Sequence, residues 1–165
     1  MEEKETKSDY TEIDKLNDLI KGVKVAMLTT MTSDHHLHSA PLLTQDVDFE
    51  GVLWFLISKK SQQISEIKSD PYVNLTYAAG TKYISISGTA ELENIPGRVE
   101  QLWRQAYLAW FPQGVRDSQI QLLKVNVERA EYWEGHSAPV SKVIEFVNTT
   151  TGAHVKLEKH GQINL

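Results

Sequence analysis

Residues 33–41 read SDHHLHSAP and place three of the chain's six histidines within four positions. Imidazoles at that density first suggest a metal site, because histidine is the commonest metal-ligating side chain. In an extended segment, however, His36 and His38 face one way and His35 and Leu37 the other, so at most two imidazoles converge. A metal site needs three or four ligands at compatible distance. The other histidines, His136, His154 and His160, lie far along the chain, no HExxH spacing occurs, and there is no cysteine. The stretch therefore reads as the polar tip of a hairpin carrying surface histidines, and no metal is expected.

The elements that would position this stretch follow from periodicity. Asp9 and Glu12 have capping-box spacing, and Ile13, Leu16, Leu19 and Ile20 recur at helical intervals up to Gly22. Two short apolar runs, Val23 to Met31 and LHSAPLL, flank the SDHH tip as a hairpin, and VLWFLIS after Gly51 is a third strand. SQQISEIKSDP gives a short helix with Ile64 and Ile67 on one side and Pro71 as its stop. YVNLTYA and KYISISGTAEL alternate as two more strands, the second bent or thinned at Gly88. Pro96 introduces a helix whose apolar stripe is Val99, Leu102, Trp103, Ala106, Tyr107 and Trp110, ended by FPQG. Trp54, Trp103 and Trp110 fall on apolar positions and read as core. LLKVNVERAEYW is the last strong strand, and periodicity leaves VSKVIEFVN open between helix and edge strand.

At 165 residues and 41% hydrophobic content, the chain fits one domain burying about 70% of its unfolded surface. Residues 1–8 are expected to be a disordered tail and 9–165 a single domain, mainly β with helices (α+β), most simply an antiparallel barrel. The lack of cysteine suits a reducing compartment. The longest apolar runs fall far short of the roughly 20 residues that span a bilayer, and MEEKETKSD has no apolar leader region, so a soluble cytoplasmic protein is expected. A net charge of −5 argues against nucleic acid as a partner.

Four segments, in order, carry a resemblance to a known family. HSAPLL (38–43), LWFLISKKSQQISEIKSDPYVNLTYA (53–78), ISISGTAEL (84–92) and LLKVNVERAEYW (122–133) resemble the pyridoxamine 5′-phosphate oxidase-like, FMN-binding split-barrel proteins, most closely the general stress protein 26-like branch. The resemblance spans roughly residues 21–133. It implies an antiparallel split β-barrel, an FMN cofactor, and a homodimer with cofactor sites at its interface. Ser39, Ala40, Pro41 and Leu42 would lie along the isoalloxazine and ribityl chain. Ser58, Lys59, Lys60, Ser61 and Gln63 would hold the phosphate at a helix start, where backbone N–H groups and the dipole favour an anion.

The chain keeps the family's Ser61 but has Gln62 and Gln63 where basic residues are common, and lacks the arginine usual in the HSAPLL strand. Lys59 or Lys60 is expected to supply part of that charge. Trp133, in AEYWEG, is similar to the tryptophan that the oxidases place against the flavin from the partner subunit. The true oxidases also carry an arginine and a histidine shortly after it, where this chain has Pro139 and Ser141. The resemblance therefore implies an FMN-binding stress-type protein, an oxidoreductase of unknown substrate or a flavin carrier, and not a pyridoxamine phosphate oxidase. The competing reading is a non-catalytic split-barrel binding protein with weak or no flavin affinity, or one that takes another cofactor such as haem or a deazaflavin.

Overall fold

The structure, a computed structural model, describes residues 11–45, 50–135 and 159–165. Helix α1 (Glu12–Ile20) opens with a capping box in which Thr11 accepts the Asp14 N–H at 3.1 Å and Asp14 accepts the Thr11 N–H at 2.8 Å. The box is thus at Thr11 and Asp14 instead of Asp9 and Glu12; Asp9 and the expected tail lie outside the described residues.

Seven strands are described, the first six where the sequence predicts them: β1 (Val25–Met31), β2 (Leu37–Leu43), β3 (Val52–Ser58), β4 (Tyr72–Ala79), β5 (Lys82–Glu93), β6 (Ile120–Glu134) and β7 (Lys159–Asn164). Every ladder is antiparallel, in the order β2-β1-β4-β5-β6-β3 with β7 also on β6. One edge of β6 pairs with β5, while the other pairs with β3 along residues 120–126 and with β7 along 129–134. The two ends of the order, β2 and β3, come against each other without a ladder between them. That seam makes the barrel a split one, as the fold class predicted from the sequence requires.

Inward residues of alternate strands, among them Ala26, Leu28, Leu75, Tyr77, Ile84, Ile86, Leu123 and Val125, fill the barrel, and α1 adds Leu16 and Leu19. A second cluster outside it holds Leu56, Leu102, Tyr107, Phe111, Ile120 and Leu122. It packs helix α3 (Arg98–Leu102) and a 3₁₀ helix (Gln105–Ala109) over β3 and β6. The sequence predicts one continuous helix there. It breaks at Trp103 and Arg104, whose ψ angles of 133° and 153° are extended. Packing explains the break: Trp103 joins the second cluster and the Arg104 guanidinium reaches the Thr44 carbonyl, contacts that override helical propensity.

Strand β7 was not foreseen, and VSKVIEFVN lies outside the described residues. Its anchor is Ile163, fully buried beside Ala130 on β6. At Gly161 a Cβ would come within 2.6 Å of the Tyr132 ring, so a larger residue on that rung would have to displace the ring.

Gly88 is the other constrained glycine. The β5–β6 register shifts between Ser87 and Gly88, and a Cβ at Gly88 would sit 2.0 Å from the Asn126 carbonyl oxygen. Backbone cannot yield as a side-chain end can. Gly88→Ala should therefore cost about 1–3 kcal/mol. In thermal denaturation that is a Tm drop of roughly 2–4 °C for each kcal/mol; an unchanged Tm would show that the bulge is not needed.

Candidate functional site

A cavity of about 140 Å³ opens at the seam. β2 supplies Ala40, Pro41, Leu42 and Leu43, β3 supplies Leu56, Ile57 and Ser58, and helix α2 (Gln62–Ser69) adds its cap Ser61 and Gln63. Tyr107, Trp110 and Phe111 close it from the 3₁₀ segment. Four consecutive β2 residues can line one hollow because the strand presents its unpaired edge there. Pro41 suits that edge, having no N–H to offer a neighbouring strand.

Six of the ten residues singled out from the sequence thus converge: Ala40, Pro41, Leu42, Ser58, Ser61 and Gln63. The other four lie elsewhere. Ser39 faces outward, its hydroxyl 2.7 Å from that of Thr29 on β1. Lys59 and Lys60 are both exposed in the turn between β3 and α2, and neither lines the cavity. Trp133 is thirteen residues along β6 from Ile120, the residue paired with Ser58. There it stacks on His160 of β7, centroids 5.3 Å apart and planes within 10°. Pro139 and Ser141 lie outside the described residues.

Ser61 caps α2 as its position before the helix predicts, its hydroxyl accepting the Gln63 N–H at 3.3 Å. Gln63 is buried, and its side-chain amide donates to the Leu28 carbonyl at 2.9 Å. It ties α2 to β1 and forms part of the cavity wall.

One turn further, the structure holds an arrangement that the sequence reading missed. Glu66 is buried, its carboxylate accepting from Thr30 Oγ1 at 2.6 Å, Gln62 Nε2 at 2.7 Å and His38 Nδ1 at 3.0 Å. An ionised carboxylate has no proton to give, so the His38 tautomer in this bond carries its hydrogen on Nδ1. Burial pushes the Glu66 carboxyl up, but the bonds from Thr30 and His38, the attraction of His38 and the bond from Gln62 outweigh it and hold the group below its ordinary value. His38 is therefore a strand residue clasping a helix rather than part of the hairpin tip. His35, at φ 63°, and exposed His36, paired with Asp34 at 3.1 Å, do sit in the turn. Among the described residues no group of three or more potential metal ligands is present. Only the position of His38 on the inward face of β2, shared with Ala40 and Leu42, signals the clasp in the sequence.

The aromatic wall was also misread. Trp110, taken as core from the helical stripe, is 56% exposed and lines the cavity mouth, because the helix that would have buried it breaks at Trp103. Tyr107 is buried; its hydroxyl accepts from Gln45, and burial pushes its pKa up against the opposing pull of Arg104.

A flavin mononucleotide can be tested against this lining. Apolar walls and two serine hydroxyls suit a planar ring system with a polyol tail. The phosphate finds no match, since no lysine or arginine lines the cavity among the described residues.

The sequence profile of the family described as "Pyridoxamine 5′-phosphate oxidase like" matches residues 11–156. No curated protein matches the chain significantly. Among solved structures, the general stress FMN/FAD binding protein from Xanthomonas citri is 25% identical, with 74% of this chain and 88% of that one covered and a TM-score of 0.64. The General Stress Protein 26 from Bacillus anthracis str. Sterne is 24% identical over 73% of this chain and 92% of that one, TM-score 0.65. A heme binding protein from Mycobacterium smegmatis shares the fold at 11% identity, covering 86% of this chain and 69% of that one, TM-score 0.61.

Two substitutions test the local architecture. Ser61→Ala should cost about 0.5–2 kcal/mol through loss of the cap. Glu66→Gln should cost about 1–3 kcal/mol above the ordinary carboxyl pKa of 4.5, by leaving buried donors poorly matched. Because the folded-state pKa of Glu66 lies below 4.5, its ionised bonds stabilise the fold above that pH and lose their effect as pH falls through the depressed value. Denaturant titrations should therefore show the gap between the two proteins narrowing below pH 4.5. A gap independent of pH would mean that the Glu66 charge contributes nothing.

Proposed function

The chain belongs to the pyridoxamine 5′-phosphate oxidase-like family, and from that premise we propose that it is a flavin-binding split-barrel protein of the general-stress type, acting as a homodimer. The observation that carries this reading is the convergence of Ala40, Pro41, Leu42, Ser58 and Ser61, from three separate elements, on one apolar cavity with hydroxyl groups at one end. A bound flavin would supply two-electron redox chemistry, and the protein's part would be to hold and orient it. Ala40 to Leu42 would pack along the ring edge, Trp110 and Phe111 would exclude water, and Ser58 and Ser61 would meet the ribityl hydroxyls. The Xanthomonas citri relative, named as an FMN/FAD binding protein, supports a flavin. An oxidoreductase role, for which the substrate is open, and a cytoplasmic location belong to the same proposal. Among the described residues no helix is long and apolar enough to cross a membrane.

Haem is the competing ligand, given the Mycobacterium smegmatis neighbour. Haem iron takes an axial His, Cys, Met or Tyr. Among the described residues Tyr107 is the one such residue in the cavity lining, and its hydroxyl is already held by Gln45, which supports a flavin over haem.

Dimerisation is supported by the site's incompleteness. About 140 Å³ is below the roughly 300–1,000 Å³ of small-molecule pockets, so one chain offers a half-open groove. On this reading Trp133, displaced along β6 from its own chain's cavity, would serve a partner's. Leu37 is 73% and Tyr72 68% exposed beside a second groove of about 640 Å³ lined by polar as well as apolar residues, a surface that would suit a second copy.

Purified protein should show the visible absorption of an oxidised flavin, or acquire it on reconstitution, and light scattering should give twice the 18.7 kDa chain mass. A haem Soret band would overturn the ligand assignment, and a monomer mass across micromolar concentrations would overturn the interface.

A further inference from the structure

We propose that this site recognises the flavin nucleus and its neutral polyol tail but not the terminal phosphate, so that riboflavin-class ligands bind as well as phosphorylated ones. The inference rests on the flavin reading above and concerns the chemistry at the β3–α2 end of the cavity. An anion at a helix start is normally held by uncommitted backbone N–H groups, by cationic side chains, or by both.

Here five of the six backbone amides between residues 59 and 64 are engaged internally. Lys59 N–H donates to the Gln119 carbonyl at 2.7 Å, Ser61 N–H to the Ser58 carbonyl at 2.9 Å, and Ile64 N–H to the Ser61 carbonyl at 3.1 Å. The two serine hydroxyls accept the next two, Lys60 N–H at 3.2 Å on Ser58 and Gln63 N–H at 3.3 Å on Ser61. Five backbone donors between residues 59 and 64 are thus committed before a ligand arrives.

The side chains repeat the pattern. Lys59 and Lys60 point to solvent from the turn. The Gln63 amide nitrogen is held by the Leu28 carbonyl. Arg104 lies behind the aromatic wall, on the Thr44 carbonyl and 5.8 Å from the centre of the Tyr107 ring. The charge buried closest along α2 is the Glu66 carboxylate, one turn from Gln63, and it repels a second anion. What remains at this end are one backbone N–H, that of Gln62, and the O–H groups of Ser58 and Ser61, whose oxygens already accept. They can donate to a ribityl hydroxyl, a neutral partner that needs neither a cation nor a nest of amides.

The test is a titration of apoprotein with riboflavin and with FMN, followed by quenching of flavin fluorescence, at low and at high salt. Dissociation constants within fivefold of each other, with the FMN value unchanged by salt, support the proposal. FMN binding more than fivefold tighter, and weakening with salt, overturns it while leaving the flavin reading intact. Binding of neither ligand removes the flavin reading itself, and this inference with it. A second measurement is independent of how tightly the wild type binds: Gln62→Arg adds a guanidinium in the first turn of α2, outside the cavity lining, and should tighten FMN by roughly 10- to 150-fold with little effect on riboflavin, the range expected for one charge-assisted hydrogen bond. Equal gains for both ligands would show that the added side chain acts by packing and that the phosphate lies elsewhere.

Discussion

The feature on which the site depends is a bond pattern that is not completed: β2 and β3 meet at the two ends of the sheet order without exchanging backbone hydrogen bonds. Closing that seam would give a continuous barrel with nowhere for a ligand to lie against main chain. Pro41 helps to keep it open from the β2 side, since it lacks a donor, and the aromatic segment 107–111 covers the hollow from outside. An exposed strand edge is ordinarily a liability for aggregation. Here both edges are sheltered, by α2 at one end and by Tyr107, Trp110 and Phe111 at the other, so the same device that protects the edge also creates an apolar slot.

The slot keeps its shape because α2 is fixed across its end by polar bonds. Gln63 ties the helix to β1 and Glu66 ties it to both hairpin strands, through Thr30 of β1 and His38 of β2. A buried carboxylate is costly unless its lone pairs are matched, and this one has three donors. Such an arrangement tolerates little displacement. It therefore sets the angle at which α2 leaves the β3–α2 turn, and with it the positions of Ser58 and Ser61 relative to β2. The cavity's polar end is rigid for reasons located a full helical turn away from it.

Much of this was legible in the sequence, for a physical reason. Strands β1, β4 and β5 alternate because one face of each packs in the barrel, β3 reads as a continuous apolar run because both its faces are covered, and the Ser61 cap follows from a hydroxyl placed before an apolar pair at helical spacing. Six of the ten residues proposed for the site then fall at one cavity. What the sequence did not disclose is set by tertiary contacts that leave no periodic trace. The helix break at Trp103 comes from packing and from Arg104 reaching Thr44, and it turns Trp110 from an apparent core residue into a cavity wall. Strand β7 carries a single buried anchor, Ile163, near a glycine that low strand propensity would dismiss, although the Tyr132 ring packs directly against it. The His38–Glu66 pair joins residues 28 apart, and histidine beside two others in a polar tip looks like more of the same tip.

The charge arrangement shows how a fold can be kept while the ligand chemistry at one end changes. The amides of the β3–α2 turn can be satisfied by an incoming anion or by the protein itself, but not fully by both. In this chain the serine hydroxyls and neighbouring carbonyls take them, the lysines of the turn face water, and the nearby buried charge is negative. None of these features disturbs the ladders or the core, since all of them sit in one turn and the first half of one short helix. In the flavin reading, recognition of the planar ring would depend, by contrast, on strand edges and aromatic walls that the barrel cannot alter without repacking. On that reading the tail end could change its ligand chemistry within one turn, whereas a change at the ring end, bound to the seam itself, would require the barrel to repack.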